Sequence, residues 1–237
     1  MLFKSQIKLI VSLQQKKYRK LHNLFFVEGQ KVIQEFLESD FVLEQLFVSE
    51  DIFPTIKKRI MITPKELKKI SALVSPNNCL AVFRVPEKQK IDTQNHIIVL
   101  DSVRDPGNFG TIIRLCDWFG IKTIVCSEDC VDLYNPKVLQ ATMGSATRVN
   151  VVYSDLETFL KTCELPVFGT FMEGKNIYKT QFPEKTIIVF GNEANGISTK
   201  IEPFITDKIT IPRFGNATES LNVATATAIV LSELRRI

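Results

Sequence analysis

Apolar positions recur along the chain with two different periods, and the periods alternate. In SQIKLIVSLQQKKYRK, residues 5–20, apolar side chains fall at Ile7, Ile10 and Leu13, the spacing of an amphipathic helix. LFFVEG reads as a short strand running into a turn. QKVIQEFLES returns to helical spacing, with Val32, Ile33, Phe36 and Leu37 on one face. VLEQLFVS and RIMIT read as strands, PKELKKISALV as a helix with Pro64 in its first turn, and CLAVFRV as a strand. Alternating helix and strand as far as Val85 predicts an α/β unit. PEKQKIDTQN then breaks the pattern: it is polar, contains Pro86 and has no apolar period, as expected of a linker. The boundary predicts a smaller α/β domain over residues 1–88 and a second domain over 95–237.

Beyond the linker the strand candidates change character. HIIVLDS, KTIVCS, RVNVVY, PVFGTF, TIIVFG and KITIP are nearly continuous apolar runs, with helical stretches between most of them. Strands of that kind are buried on both faces, which predicts a parallel sheet covered by helices. In such sheets ligands collect beyond the carboxyl ends of the strands, so the loops there are the places to look for chemistry.

Composition narrows the class. With 237 residues, 45% of them hydrophobic and 24% charged, the chain has enough apolar material for packed cores. No apolar run approaches the length of a membrane span, and the N-terminus lacks the apolar stretch and small-residue cleavage site of a signal peptide. Five cysteines, an odd number without C-x-x-C spacing, argue against disulfides or a zinc site and fit a reducing cytoplasm. The net charge of +4 is mild, but from Met1 to Val27 there are six Lys or Arg and no acid. Lys16, Lys17, Arg19 and Lys20 form the densest part of that run. They are candidates for phosphate contacts, with a solvated helix face as the alternative. Of the two histidines, His96 opens an apolar strand and His22 lies in the basic segment, so proton transfer by histidine is not expected.

Four strand ends carry unusual loops. DSVRDPGNFGTIIR has a Gly-containing turn in which Asn108 can cap a helix starting near Phe109 or Gly110, and Gly107 suits a positive-φ turn or a close backbone approach. Arg114 then projects from the first or second turn. Read alone, it is a surface residue paired with Asp117 or Asp105. VFGTFMEGKN ends a strand at Gly169. In IIVFGNEANGIS, Gly191 and Gly196 bracket Glu193, a carboxylate able to cap a helix or to bind ligand hydroxyls. In ITIPRFGNATESLNVATATAIVLSEL, Ser220 and Asn222 stand at the start of a helix, with Ser220 or Thr218 as its cap. The turn lacks the G-x-G-x-x-G of a dinucleotide fingerprint and the lysine of a P-loop, which argues against a Rossmann-type nucleotide enzyme.

Taken together and in this order, LDSVRDPGNFGTIIRLCDWFGI, IIVFGNEANGIS and IPRFGNATESLNVATATAIVLSEL resemble the SpoU (TrmH-type) family of RNA ribose 2′-O-methyltransferases, within the SPOUT superfamily. The resemblance covers nearly all of residues 96–237. The stretch around KKYRKLHNLFFVEGQKVIQEFL resembles the RNA substrate-binding domain often attached to that family. One departure is the loop from Pro212 to Ser220, one residue longer than the common form, with Arg213 where methionine is frequent.

The resemblance implies a C-terminal α/β domain containing a trefoil knot, preceded by the smaller RNA-binding domain. It implies S-adenosylmethionine as cofactor, contacted by main chain near Gly191, Ile211 and Leu221, with Gly169 and Asn222 among its contacts. Asn108, Arg114, Glu193, Ser220 and Asn222 match the family positions for catalysis and site structure. No metal is implied. The expected assembly is a homodimer acting on structured ribosomal or transfer RNA. The alternative is an RNA-binding protein that keeps the fold without the activity.

Overall fold

The computed structural model describes residues 2–87, 89–215 and 220–236. Thr218, one of the two cap candidates, and the stretch 216–219 of the Pro212–Ser220 loop lie outside the described residues. By internal contacts the chain forms two compact units, residues 1–87 with 132–147, and residues 88–131 with 148–237.

The first unit contains α1 (Lys4–Ser12), α2 (Lys16–His22), β1 (Leu24–Glu28), α3 (Gln30–Leu37), β2 (Leu43–Val48), β3 (Arg59–Met61), α4 (Pro64–Ile70) and β4 (Cys79–Arg84). Its sheet has the order β1-β4-β2-β3, antiparallel except for the β2–β3 pair. Thr63 caps α4 ahead of Pro64, and Glu66 completes a reciprocal capping box. The single helix predicted over residues 5–20 is two helices. Gln15 is extended at φ −100° and ψ 132°, and the guanidinium of Arg19 donates through Nη1 to the carbonyls of Leu13 (2.8 Å) and Gln14 (2.9 Å). Those carbonyls at the end of α1 have no helical partner, and the arginine satisfies them.

The first unit also takes in residues 132–147, which the sequence reading places with the second domain. The segment includes α6 (Pro136–Thr142) and joins this core through aromatic packing: the Tyr134 ring lies 4.5 Å from that of Phe25, which also meets Phe36, Phe41 and Phe83. Each such ring pair contributes about 0.5–1.5 kcal/mol beyond area burial.

The second unit is a six-stranded sheet in the order β10-β8-β9-β5-β6-β7, with every adjacent pair parallel. Its strands are β5 (Ile97–Leu100), β6 (Thr123–Cys126), β7 (Asn150–Tyr153), β8 (Val167–Asn176), β9 (Ile187–Phe190) and β10 (Asp207–Thr210). Helices α5 (Pro106–Trp118), α7 (Leu156–Thr162) and α8 (Val223–Leu234) accompany it. β5, β6 and β9 are buried at every residue, which is why they read as continuous apolar runs. His96 stands just before β5, at the end of the strand opposite the site loops. Burial holds its imidazole below the usual pKa, with Arg235 adding to the shift, and among the described residues its Nδ1 has no hydrogen-bond partner. Among the described residues no helix is long and apolar enough to cross a membrane.

Candidate active site

Beyond the carboxyl ends of β5 and β9, two loops are tied together by buried polar groups. Asp101, only 4% exposed, follows β5 and accepts the Ser198 N–H at 2.7 Å. Ser102 takes the left-handed conformation, φ 59°, unusual for a residue with a side chain. Both its backbone groups are occupied: its N–H donates to Ser127 Oγ at 2.9 Å, and its carbonyl accepts Asn192 Nδ2 at 2.8 Å. Asn192 also closes the next turn, since its Oδ1 accepts the N–H groups of Ala194 and Asn195 while its backbone pairs with Gly196. Sequence reading missed both Asp101 and Asn192. The available signal was a carboxylate directly after an apolar strand.

Helix α5 starts earlier than the sequence suggested. Asp105 is its cap, accepting the Asn108 N–H at 2.7 Å, and Pro106 occupies the first helical position. Asn108 therefore lies inside the first turn instead of capping it, and Gly107 has no positive φ. Released from capping, the Asn108 side chain links two other elements. Its Nδ2 donates to Glu193 Oε1 at 2.7 Å, and its Oδ1 accepts Asn222 Nδ2 at 2.8 Å. Asn222, not Ser220, caps α8, with its Oδ1 accepting from Ala224 at 2.9 Å and Thr225 at 3.2 Å. Three of the predicted residues thus form one chain of hydrogen bonds, Asn222 to Asn108 to Glu193, joining the loops after β5, β9 and β10.

Glu193 and Ser220 also line a cavity of about 1280 Å³, together with Gly191, Ile211 and Leu221. Gly191 is required by space: a Cβ there would lie 2.1 Å from the carbonyl carbon of Gly196 and 2.2 Å from Ile197 N. Gly169 does not reach the cavity wall. It admits close packing instead, since a Cβ would meet the Phe171 ring at 2.7 Å. Asn222 likewise stands behind the wall.

Arg114 opens the third turn of α5, further in than expected, and is exposed. The two carboxylates it was matched with are engaged elsewhere: Asp117 pairs with Arg148 at 2.8 Å, and Asp105 caps the helix. Among the described residues Arg114 has no hydrogen bond or ion pair. Six residues beyond Asn108, it is displaced by about 9 Å along the helix and turned by about 120° from it. It shares its exposed face with Thr111 and Trp118.

The basic segment divides. Lys16, Lys17 and Lys20 are exposed, with the Lys17 ammonium 4.7 Å from the centroid of the Tyr18 ring. Arg19 is 4% exposed and forms a buried pair with Asp132, its Nε donating at 2.8 Å. Buried, with four of its five N–H donors engaged inside the unit, Arg19 is not placed to grip a phosphate, and that expectation is corrected.

Residues 95–232 match the SpoU rRNA Methylase family, and residues 4–81 match the MRM3-like substrate binding domain. The chain is 30% identical over 230 residues to the 23S rRNA (guanosine(2553)-2′-O)-methyltransferase RlmP of Bacillus subtilis, covering 93% of this chain and 92% of that protein. A putative RNA methyltransferase of the TrmH family from Porphyromonas gingivalis superposes with a TM-score of 0.92 at 35% identity, over 99% of this chain and 98% of the other. The AdoMet-bound rRNA methyltransferase from Sinorhizobium meliloti gives 0.89 at 25% identity, over 99% and 95%.

Proposed function

The chain belongs to the SpoU rRNA Methylase family, and from that premise we propose that it transfers a methyl group from S-adenosylmethionine to a ribose 2′-hydroxyl of structured RNA, with ribosomal RNA as the substrate. The observation that carries this reading is the Asn222–Asn108–Glu193 chain built beside the cavity lined by Gly191, Ile211 and Leu221. The cavity fits the cofactor. A Cβ at Gly191 would strike the Gly196–Ile197 backbone, so only glycine lets the loop after β9 fold tightly enough to form this side of the cavity wall. When bound, the cofactor supplies a methyl group on a sulfonium, which is already electrophilic.

The work left to the protein is positioning, which contributes on the order of 7–11 kcal/mol in ideal cases. The fixed hydrogen-bond chain holds the loops that frame the ribose. His96 does not serve as base here, because it lies at the far end of β5. A guanidinium is a donor only, with a pKa above about 12. Arg114 therefore clamps the adjacent phosphate and stabilises the alkoxide that develops at the 2′-oxygen as the hydroxyl proton passes to solvent water.

The same reading includes a homodimer, a cytoplasmic setting and the family's trefoil knot. The dimer is supported by the α5 face itself. Arg114 is turned away from Asn108 and shares that face with Trp118, which is 84% exposed. A second copy seated there would cover the tryptophan and bring a guanidinium to a neighbouring site. The reducing compartment is supported by the five cysteines, an odd number without C-x-x-C spacing.

Purified protein, labelled S-adenosylmethionine and ribosomal RNA provide the test. Label is expected in dinucleotides that resist alkaline hydrolysis, because a 2′-O-methyl group blocks strand cleavage. Label confined to mononucleotides, or none, contradicts the reading. Light scattering on the same sample should give about twice the 27.0 kDa chain mass.

RNA grip falls to Lys16, Lys17 and Lys20. Their joint replacement by glutamine is expected to leave the melting temperature unchanged and to flatten the salt dependence of RNA binding, by up to about 0.9 log units per lost contact on duplex. Arg19→Gln should do the opposite. It strands Asp132 and costs about 3–5 kcal/mol of stability in a thermal melt. An unchanged salt slope in the triple variant would make the lysines solvated surface only.

A further inference from the structure

Strand β8 leaves its partner within the cavity wall. Gly169 pairs with Lys208 and Lys175 with the next residue, Ile209, so residues 170–174 stand out of the ladder. The excursion is pinned along its length. Thr170 Oγ1 donates to the Val189 carbonyl at 3.1 Å, and the Phe171 ring lies 4.5 Å from the Lys208 ammonium. The Met172 carbonyl accepts Thr210 Oγ1 at 3.0 Å. Gly174 lies so close to β10 that a Cβ would stand 2.6 Å from the Lys208 carbonyl oxygen. Glu173, at the tip, is therefore fixed by the residue on either side.

Among the described residues the cavity is lined by four charged side chains, Glu173, Glu193, Lys208 and Arg213. Glu193 is held by Asn108, Lys208 is paired with Glu202, and Arg213 has a partner of its own. Among the described residues Glu173 alone of the four has no hydrogen bond or ion pair. Glu173 itself is exposed, and the cavity it lines has apolar wall residues in Phe171, Met172, Ile209 and Ile211. A purine suits such a wall, and the group attached to a purine in an adenosyl cofactor is a ribose.

We propose that Glu173 is a cofactor-specificity residue whose carboxylate accepts the 2′- and 3′-hydroxyls of the cofactor's ribose. The inference rests on the proposed use of S-adenosylmethionine. A cis-diol offers two donors to the two oxygens of one carboxylate and brings no anion with it. The amino-acid end of the cofactor is a poorer match, because it carries a carboxylate beside its ammonium. The two lining cations that could offset that charge are both engaged.

The experiment is calorimetry on the full chain, wild type and Glu173→Ala, with S-adenosylhomocysteine, 5′-methylthioadenosine and 5′-methylthio-2′-deoxyadenosine. Glu173→Ala is expected to weaken the first two ligands alike, by about 10- to 100-fold, the range for hydrogen bonds to a charged group. The wild-type preference for 5′-methylthioadenosine over its deoxy counterpart should shrink in the variant, a change that a loosened loop would not produce. Weakening of S-adenosylhomocysteine alone would place the carboxylate at the amino-acid end and overturn the proposal. Equal affinities in variant and wild type would overturn it too. Failure of the wild type to bind S-adenosylhomocysteine would instead remove the underlying cofactor reading.

Discussion

Arg114→Ala is expected to lower turnover by about 10²–10³-fold, the scale for losing one preorganised donor to a developing oxyanion. Fold and cofactor affinity should survive. The side chain is exposed and makes no hydrogen bond or ion pair among the described residues, so its removal breaks no polar interaction within the fold. Surface changes of that kind stay within about 0.5 kcal/mol of wild type. Single-turnover methyl transfer, a thermal melt and cofactor calorimetry check the three claims separately. Arg114→Lys is the informative control, because it keeps the charge but loses the planar fork. Nearly full activity in the lysine variant would mean that charge suffices and geometry does not matter. A normal rate in the alanine variant would remove Arg114 from the mechanism.

The orientation of Arg114 adds a second measurement. If a second copy supplies the guanidinium, an Arg114→Ala chain and an Asn108→Ala chain are each inactive alone. Mixed and allowed to exchange subunits, they form dimers with one intact site, and part of the activity returns. If each chain uses its own arginine, mixing restores nothing.

The second unit was the more legible half. β5, β6 and β9 announce themselves because both faces of each strand are buried, so no polar residue interrupts them. Asn108, Glu193 and Asn222 were identified together through the family resemblance, and the structure joins them by two hydrogen bonds. What escaped the sequence was non-local. The break between α1 and α2 has no glycine or proline to mark it. It depends on Arg19, which is held in turn by Asp132, 113 positions away. Counting charges could not reveal that one cation of a basic run is buried among three lysines that are not. The cap of α5 was a misreading of local signals: Asp105 followed by Pro106 is a stronger start than Asn108. The assignment of residues 132–147 to the first unit follows from aromatic packing across distant sequence, with Tyr134 set against Phe25.

The other large effect is expected at Gly191. Gly191→Ala should abolish measurable cofactor binding while the sheet of the second unit still forms. The added Cβ would sit 2.1 Å from the Gly196 carbonyl carbon, 2.2 Å from Ile197 N and 2.3 Å from the Gly196 carbonyl oxygen. These are backbone atoms, so no rotamer change relieves the clash and the 192–197 turn must move as a body by more than an ångström. Glu193 moves with it and leaves Asn108. Misplacing a positioning group by about 1 Å costs about 10²-fold in rate, and here the cofactor wall and the hydrogen-bond chain are displaced together. Two other glycines separate this steric cause from simple loss of flexibility. Gly196 has φ +68° and nothing within 4 Å of its missing Cβ, so Gly196→Ala carries only the left-handed backbone cost of about 1–2 kcal/mol. Gly215 has no positive φ and, among the described residues, nothing within 4 Å of an added Cβ, and Gly215→Ala should behave as wild type. Calorimetry with S-adenosylhomocysteine on the three variants should therefore rank them Gly215→Ala, Gly196→Ala, Gly191→Ala in falling affinity. Retained binding in Gly191→Ala would mean that the turn relaxes without disturbing the site, and that the close approach at Gly191 is not what shapes the cofactor cavity.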